Sequence, residues 1–357
     1  MEPDAPGEKG SGGALRREII GFALHRGKGI EFSAALRKDK TLGKTTPEAC
    51  ISMLLSLLSI YRCSYGYVIV SEVAMQHLNI HEVCERVGVQ APYFAFLDLE
   101  KHSNSSVRGR FIPEHRTGRE RGSIAAAEMV RHLATLGTCA AVLEGTPRPT
   151  YYLGTKGRLK LLPSAKRTAP DGSFLAQAEV IEQDKRSLVA HSTISGDGVL
   201  AHFRCEYQVL PEAVFARTFK HYRSKPLPKP DESPYKEPIE LDFETPRALS
   251  LTARSRALPA SRFAGHFLEY PAWPASVYAE TVTRVVDRLL SHILDREVEY
   301  SVARLDIDAL RLISASEPVS FHVECVSASR ILSQYVFSAQ VRRDDTVATA
   351  IEMEVFV

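Results

Sequence analysis

Residues 262–280 read RFAGHFLEYPAWPASVYAE. A glycine and a histidine stand ahead of two prolines, Pro271 and Pro274, and a carboxylate, Glu280, follows. Pro274 suits a first helical turn, where its missing N–H costs nothing. From there to Leu294 the apolar residues Val277, Val282, Val285, Val286, Leu289, Leu290 and Ile293 cover most of a helix circumference. A helix that is apolar nearly all round is a buried one. Strand-like runs flank it, at 248–257 before and at Ser301–Ile313, Val319–Val326, Gln334–Arg342 and Val347–Val357 after. The last run alternates, with Thr349, Ile351, Met353, Val355 and Val357 on one face and Ala350, Glu352 and Glu354 on the other.

The same order occurs earlier in the chain. A strand-like YFAFLDLE (93–100) precedes a long apolar helix, Gly122 to Leu143, rich in small residues that allow close packing on both sides. Strand runs follow at Tyr151–Leu161, Phe174–Gln183, Ser187–Ser195 and Val199–Leu210, separated by turn signals such as APDG and SGDG. Each half is thus a strand, one long helix and four strands. A curved antiparallel sheet wrapped around one helix satisfies this order, giving an α+β chain with two such units. The halves overlay at a constant offset of 152, which sets Arg110-Phe111 on Arg262-Phe263 and Glu128 on Glu280. In that register Glu114 stands opposite His266, with His115 one place away.

Outside the repeat, residues 1–13 read as a disordered tail and residues 14–90 as a helical extension. The run TTPEACISMLLSLLSIY (45–61) carries a Thr cap and Pro47 in its first turn, and LNIHEVCERVG (78–88) runs from an Asn to a Gly. Residues 223–246, rich in proline and charge, read as an extended linker between a first unit at 91–222 and a second at 247–357.

The chain has 357 residues, room for two or three domains, and a formal net charge of +2, which argues against a general nucleic-acid binder. Its six cysteines (Cys50, Cys63, Cys84, Cys139, Cys205, Cys325) form no CxxC pair and read as buried free thiols in a reducing compartment. The N-terminus lacks the apolar core of a secretory signal, and the longest apolar run, at 50–61, is too short to span a bilayer. A cytoplasmic protein is expected.

The stretch GHFLEYPAWPASVYAE resembles the signature of bacterial 3-hydroxyacyl-[acyl carrier protein] dehydratases of the hot-dog fold: Gly-His-Phe, prolines five and eight residues after the histidine, and an acid fourteen after it. The match covers about sixteen residues, and the repeated element order extends it over 91–357 as a double hot-dog. The family's proline after Gly-His-Phe is Leu268 here, its usual glycine after the second proline is Ala275, and Trp273 is bulkier than the usual residue. The resemblance implies a dehydratase acting on acyl chains carried by the phosphopantetheine of a carrier protein, in fatty-acid or polyketide-type synthesis. No cofactor of its own is implied, and the expected assembly is a monomer or a homodimer.

Elimination of water needs a base near the C2 proton and an acid near the C3 hydroxyl. His266 is the expected base, since histidine titrates near neutrality. A helix carboxylate whose pKa an apolar tunnel raises is the expected acid. By analogy with dimeric relatives that acid is Glu128, from the other half, leaving one working site; Glu280 stands either as a second acid or as an ion-pair partner of Arg284. Gly265, Phe267, Pro271, Trp273, Pro274 and Ala275 are the expected substrate-binding residues, with Trp273 shortening or bending the acyl tunnel. Arg116, Arg119 and Arg121 are candidate contacts for an acidic carrier protein or a phosphate, and Arg131 and His132 are supporting or surface residues. Two other functions fit the residues. One is a hot-dog thioesterase in which Glu128 activates water or attacks the thioester. The other is a non-catalytic scaffold that binds acyl chains or a carrier protein.

Overall fold

The computed structural model describes residues 58–62, 68–72, 76–143, 148–162, 172–225 and 230–357. It divides into a unit at 1–74 and a unit at 75–357. In the first, β1 (Leu58–Arg62) and β2 (Val68–Glu72) pair antiparallel, with Leu58 opposite Glu72. The helix expected over 45–61 is therefore corrected at its end, which is strand; its earlier part, and the expected tail, lie outside the described residues. Strand pairing accepts residues of either propensity when a partner is present, so a helix-period pattern is overridden.

The second unit opens with β3 (Gln76–His77) and α1 (Ile80–Val87). The Asn79 side chain accepts the His81 N–H at 3.0 Å, and Gly88 stops the helix at φ 68°. The first half follows: β4 (Phe96–Lys101), β5 (Ser106–Phe111), α2 (Ala126–Ala141), β6 (Thr150–Leu161), β7 (Phe174–Gln183), β8 (Ser187–Ser195), β9 (Val199–Pro211) and the short α3 (Glu212–Thr218). The second half is β10 (Asp242–Phe243), β11 (Ser250–Arg254), α4 (Ala275–Leu294), β12 (Ser301–Ala309), β13 (Ser320–Ser329), β14 (Gln334–Arg343) and β15 (Thr346–Phe356).

Thirteen of the described strands form one antiparallel sheet in the order β10-β11-β13-β14-β15-β12-β6-β9-β8-β7-β5-β4-β3. Its left part curls around α4 and its right part around α2, and the two helices also touch each other. This is the double hot-dog. Both helices are apolar because both are surrounded: every residue of Ala126–Ala141 except Ala134 is buried, although Glu128, Arg131 and His132 lie among them. The alternation read in the last strand holds, with Thr349, Ile351, Met353 and Val355 inward.

The repeat offset of 152 is corrected. The strand bulges fall at Thr155 and Ala303, and Arg158 and Asp306 face each other across the β6–β12 seam; both pairs lie 148 apart. The helices begin 149 apart, at Ala126 and Ala275. Glu280 therefore matches Arg131 rather than Glu128. Likewise Phe111 ends β5, whose counterpart is β11, whereas Phe263 lies in a 3-10 turn. Loops of unequal length between corresponding elements moved the register by a few residues.

The stretch expected as an extended linker is held at Tyr235 and Ile239. Tyr235 is buried, its hydroxyl donates to the Ala264 carbonyl at 3.0 Å, and Ile239 is buried beside it. At the core of the first half, a Cβ on Gly137 would sit 2.6 Å from the Tyr207 hydroxyl, which donates to the Ala134 carbonyl at 2.8 Å. Gly137→Ala is expected to cost about 1–3 kcal/mol by overpacking, read as a lowered Tm, in spite of alanine's better helix propensity.

Candidate active site

The histidine loop is built on a close backbone approach. Gly265 sits at φ 85°, its carbonyl accepts the Gln90 N–H at 2.9 Å, and the backbone of His266 bridges to Val89. A Cβ at 265 would meet the Gln90 carbonyl oxygen at 2.3 Å, so only glycine fits. Phe267 and Leu268 follow at φ 54° and 23°. Proline, locked near φ −65°, cannot adopt that geometry, which accounts for leucine where the resembled family has proline. Non-glycine residues held at positive φ store strain, of order 1–3 kcal/mol each, and such strain clusters at functional sites.

His266 is buried, with the Tyr93 ring 4.8 Å and the Phe267 ring 4.1 Å from its own. Its Nδ1 lies 3.2 Å from the Ala272 carbonyl oxygen. A carbonyl only accepts, so Nδ1 carries the proton and Nε2 keeps its lone pair. Burial, opposed by that hydrogen bond, holds its pKa down at about 4, so the ring is neutral at physiological pH.

The imidazole lines a cavity of about 500 Å³ whose walls come from both halves. Val130, Ala134, Thr135 and Thr138 of α2 form one wall, and Phe267, Trp273, Ser276 and Tyr278 face it. Leu310 and Arg311 are exposed at the rim. Ala275 and Ser276, the first residues of α4, also line the cavity, and their backbone N–H groups find no partner among the described residues. The Ser276 hydroxyl lies 3.1 Å from that of Tyr93. Among the described residues, no carboxylate lines this cavity.

Glu128 is engaged elsewhere. Its carboxylate accepts the backbone N–H groups of Glu114 at 2.6 Å and His115 at 3.2 Å, and Oε1 lies 3.6 Å from His132 Nε2. Burial raises its pKa. Among the described residues no hydrogen bond or ion pair joins it to His266, and it is not among the residues that line the cavity holding His266. Glu280 belongs to the same cluster: its Oε2 is 4.0 Å from His115 Nδ1, and burial pushes its pKa up to about 7. Arg284, the alternative partner of Glu280, donates to the Ile239 carbonyl. Arg131, buried, is a rivet, giving hydrogen bonds to the carbonyls of Pro92 and Tyr93 at 2.6 and 2.9 Å and to Glu114 at 2.8 Å. It thereby fixes the segment whose Tyr93 ring packs on His266. His132 is stacked on Phe111 and buried, not a surface residue.

The two helix starts differ. At α2 the buried Glu120 carboxyl accepts the Ala126 N–H at 2.8 Å and occupies the position that is unpartnered at α4. Burial raises the Glu120 pKa from 4.5 to about 8. A carboxyl raised on folding contributes stability that is present below its unfolded pKa and is lost as pH rises through the folded one. Denaturation midpoints are accordingly expected to fall between about pH 4.5 and 8, and Glu120→Gln, which keeps the acceptor without the charge, to flatten that fall.

Of the other residues expected at the site, Phe267, Trp273 and Ala275 line the cavity and Gly265, Pro271 and Pro274 do not. Those three shape the loop: Pro271 accepts the Ala315 N–H and Pro274 precedes the helix as its cap. Arg119 bonds Ser291 and pairs with Asp287 and Glu297, and Arg121 pairs with Glu299; both tie the first-half loop to the end of α4. Arg116 is exposed. Sequence reasoning missed Tyr93, Thr135, Ser276, Tyr278 and Thr349. Hydroxyls on otherwise apolar helix and strand faces were the available signal.

No protein-family model matches this chain, and no curated protein does. Among solved structures, the chain is similar to the tesB protein of Mycobacterium avium subs paratuberculosis (9% identity, 72% of this chain and 95% of that one, TM-score 0.48). It is also similar to the acyl-CoA thioesterase II TesB2 of Mycobacterium marinum (12%, 73% and 94%, TM-score 0.42) and to an acyl-ACP thioesterase of Bacteroides thetaiotaomicron (11%, 71% and 98%, TM-score 0.42). The dehydratase expected from the Gly-His-Phe signature is corrected. Two of these similar structures are described as thioesterases, and among the described residues no carboxylate lines the cavity that holds His266 to serve as the acid that elimination requires.

Proposed function

We propose that this chain is an acyl thioesterase, a hydrolase acting on an acyl thioester held in the cavity between its two halves. The observation that carries the reading is a neutral histidine with a free Nε2 that shares a cavity with an unpartnered helix start, where no carboxylate among the described residues lines the wall. Hydrolysis needs a base for water and donors for the oxyanion, and its thiolate leaving group needs no acid beyond the protonated base, whereas the hydroxyl expelled in elimination calls for a second, separate acid. His266 Nε2 takes a proton from water as its oxygen bonds to the thioester carbon. The charge that builds on the carbonyl oxygen is met by the N–H groups of Ala275 and Ser276. As the C–S bond breaks, the imidazolium returns the proton to the leaving sulfur, giving a free acid and a thiol. In this reading the base is His266 rather than Glu128.

The phosphopantetheine thiol of a carrier protein or of coenzyme A would be the leaving group. Among the described residues no helix is long and apolar enough to cross a membrane. The test is thiol release from a panel of acyl-coenzyme A and acyl-carrier-protein thioesters, with mass spectrometry of the products. Free acid is expected, with Glu128→Gln retaining turnover. An acyl chain left on its carrier across the whole panel sinks the proposal.

A further inference from the structure

Tyr93 touches both parts of the proposed machinery. Its ring packs 4.8 Å from the His266 ring, and its hydroxyl lies 3.1 Å from that of Ser276, in the first turn of α4. All three residues line the cavity and keep some surface open, 7% for Tyr93, 5% for Ser276 and 9% for His266. The tyrosine is held from behind. Arg131 donates to its carbonyl at 2.9 Å, and the Tyr235 ring meets its own edge-on at 5.3 Å.

The pair differs from other hydroxyls of the lining in its protons. Thr135, Thr138, Thr155 and Tyr207 each donate to a backbone carbonyl, those of Arg131, Thr135, Glu206 and Ala134 respectively. Their protons are spent. The Tyr278 and Thr349 oxygens are closed off by the atoms around them. Tyr93 and Ser276 bring two protons and share one hydrogen bond, so one proton is left over. Among the described residues neither hydroxyl has another hydrogen-bond partner.

Which oxygen keeps that proton follows from acidity. A phenol is a stronger acid than an aliphatic hydroxyl and the better donor, so Tyr93 donates to Ser276 and the Ser276 O–H is the free one. The Arg131 guanidinium, 5.3 Å from the centre of the Tyr93 ring, favours the same direction. Burial outweighs Arg131 and raises the Tyr93 pKa, so the phenol keeps its proton; the buried Cys205 thiol, which also acts on it, is pushed up to about 12 and stays neutral. A hydroxyl that accepts one hydrogen bond is polarised and donates the next more strongly.

We propose that Ser276 donates its hydroxyl proton to the thioester carbonyl oxygen, as a third donor beside the N–H groups of Ala275 and Ser276, and that Tyr93 positions and polarises that hydroxyl. Ser276 is then a catalytic residue and Tyr93 a positioning residue. The proton stays on the serine, and its hydrogen bond strengthens as charge builds on the carbonyl oxygen. This deepens the thioesterase reading and rests on it for the placement of the carbonyl.

Ser276→Ala is expected to lower kcat by about 10²-fold, with KM changed far less, as when one donor of an oxyanion site is removed. Ser276→Thr, which keeps the hydroxyl, should recover most of the rate. Tyr93→Phe keeps the ring against His266 and is expected to cost about five- to tenfold, the worth of one hydrogen bond. The double variant should be no slower than Ser276→Ala alone, because Tyr93 acts through that hydroxyl.

A second readout needs no turnover. A ketone analogue of an acyl-pantetheine, with CH2 in place of the sulfur and an isotope label at the carbonyl, is bound at saturation and its carbonyl stretch is read by infrared difference spectroscopy. The band is expected at lower frequency in the wild type than in Ser276→Ala, where one donor is gone. The same frequency in both proteins overturns the proposal, and so does a ketone that fails to bind. A kcat unchanged by Ser276→Ala, or losses that multiply in the double variant, overturn it as well. A band that shifts in a protein hydrolysing no thioester keeps the donor and loses the thioesterase. Hydrolysis with a band blind to Ser276 does the reverse.

Discussion

His266→Ala is expected to lower kcat for thioester hydrolysis by about 10²–10⁴-fold, the range that a positioned general base contributes. The fold should persist. The substitution removes one hydrogen bond, that of Nδ1 to the Ala272 carbonyl, and a side chain that lines a cavity rather than filling the core. KM should change much less than kcat, because the imidazole acts on water. The same residue sets the acid limb of the pH profile. Burial holds its pKa at about 4, so the neutral ring is the resident form through the neutral range and the rate should fall only as pH drops towards that value. An acid limb near the ordinary histidine value of 6.5 would show a solvated imidazole instead. Full activity in the alanine variant, with circular dichroism unchanged, would remove His266 from the chemistry.

The second large effect falls one residue earlier. Gly265→Ala is expected to cost more than about 4 kcal/mol, the range reached only when a substitution breaks a specific structural requirement. Two terms act together. At φ 85° an alanine carries the left-handed penalty of an L-residue, about 1–2 kcal/mol. Its Cβ would then lie 2.3 Å from the Gln90 carbonyl oxygen and 2.9 Å from the Tyr93 amide nitrogen. Both obstacles are backbone, and Arg131 pins this segment through the carbonyls of Pro92 and Tyr93, so no rotamer change relieves the contact. The expected readouts are a Tm lowered by about 10 °C and lost activity, since the Tyr93 ring that packs on His266 must move with the segment. A Tm within a degree or two of wild type would mean that the loop does not approach residues 90–93 as described.

These two neighbours show which parts of the site a sequence can carry. The spacing of Gly265, His266, Pro271 and Pro274 marked a loop that delivers a histidine to a helix start, and the structure holds that loop in place. The apolar circumference of Ala275–Leu294 and the strand alternation over Thr346–Phe356 gave two wrapped helices, because a helix or strand face takes its pattern from what it buries against. These are local regularities, written in the residues that make them.

The carboxylates were not legible in the same way. Glu128 lies in an apolar helix stretch, and a buried carboxylate there reads as catalytic as readily as structural. What decided between them was the loop at 114–115, whose backbone N–H groups close on it. A glutamate's role depends on which donors reach it, and those lie fourteen residues away along a loop that no periodicity constrains. The repeat register failed for a related reason: an offset fixed on a few side-chain identities cannot see the bulges at Thr155 and Ala303 that align the halves.

By itself, the amino-acid sequence determined the two-fold order of elements, the buried helices and the histidine loop, since each rests on propensity, patterning or turn chemistry within a short span. Only the tertiary structure decided which polar groups share a cavity. It put Tyr93, His266 and Ser276 around one space, left Glu128 and Glu280 outside it and set Glu120 over the start of the first helix. Hydrogen bonds and desolvation act through space between distant segments, and their partners are chosen when the two halves close on each other along the β6–β12 seam.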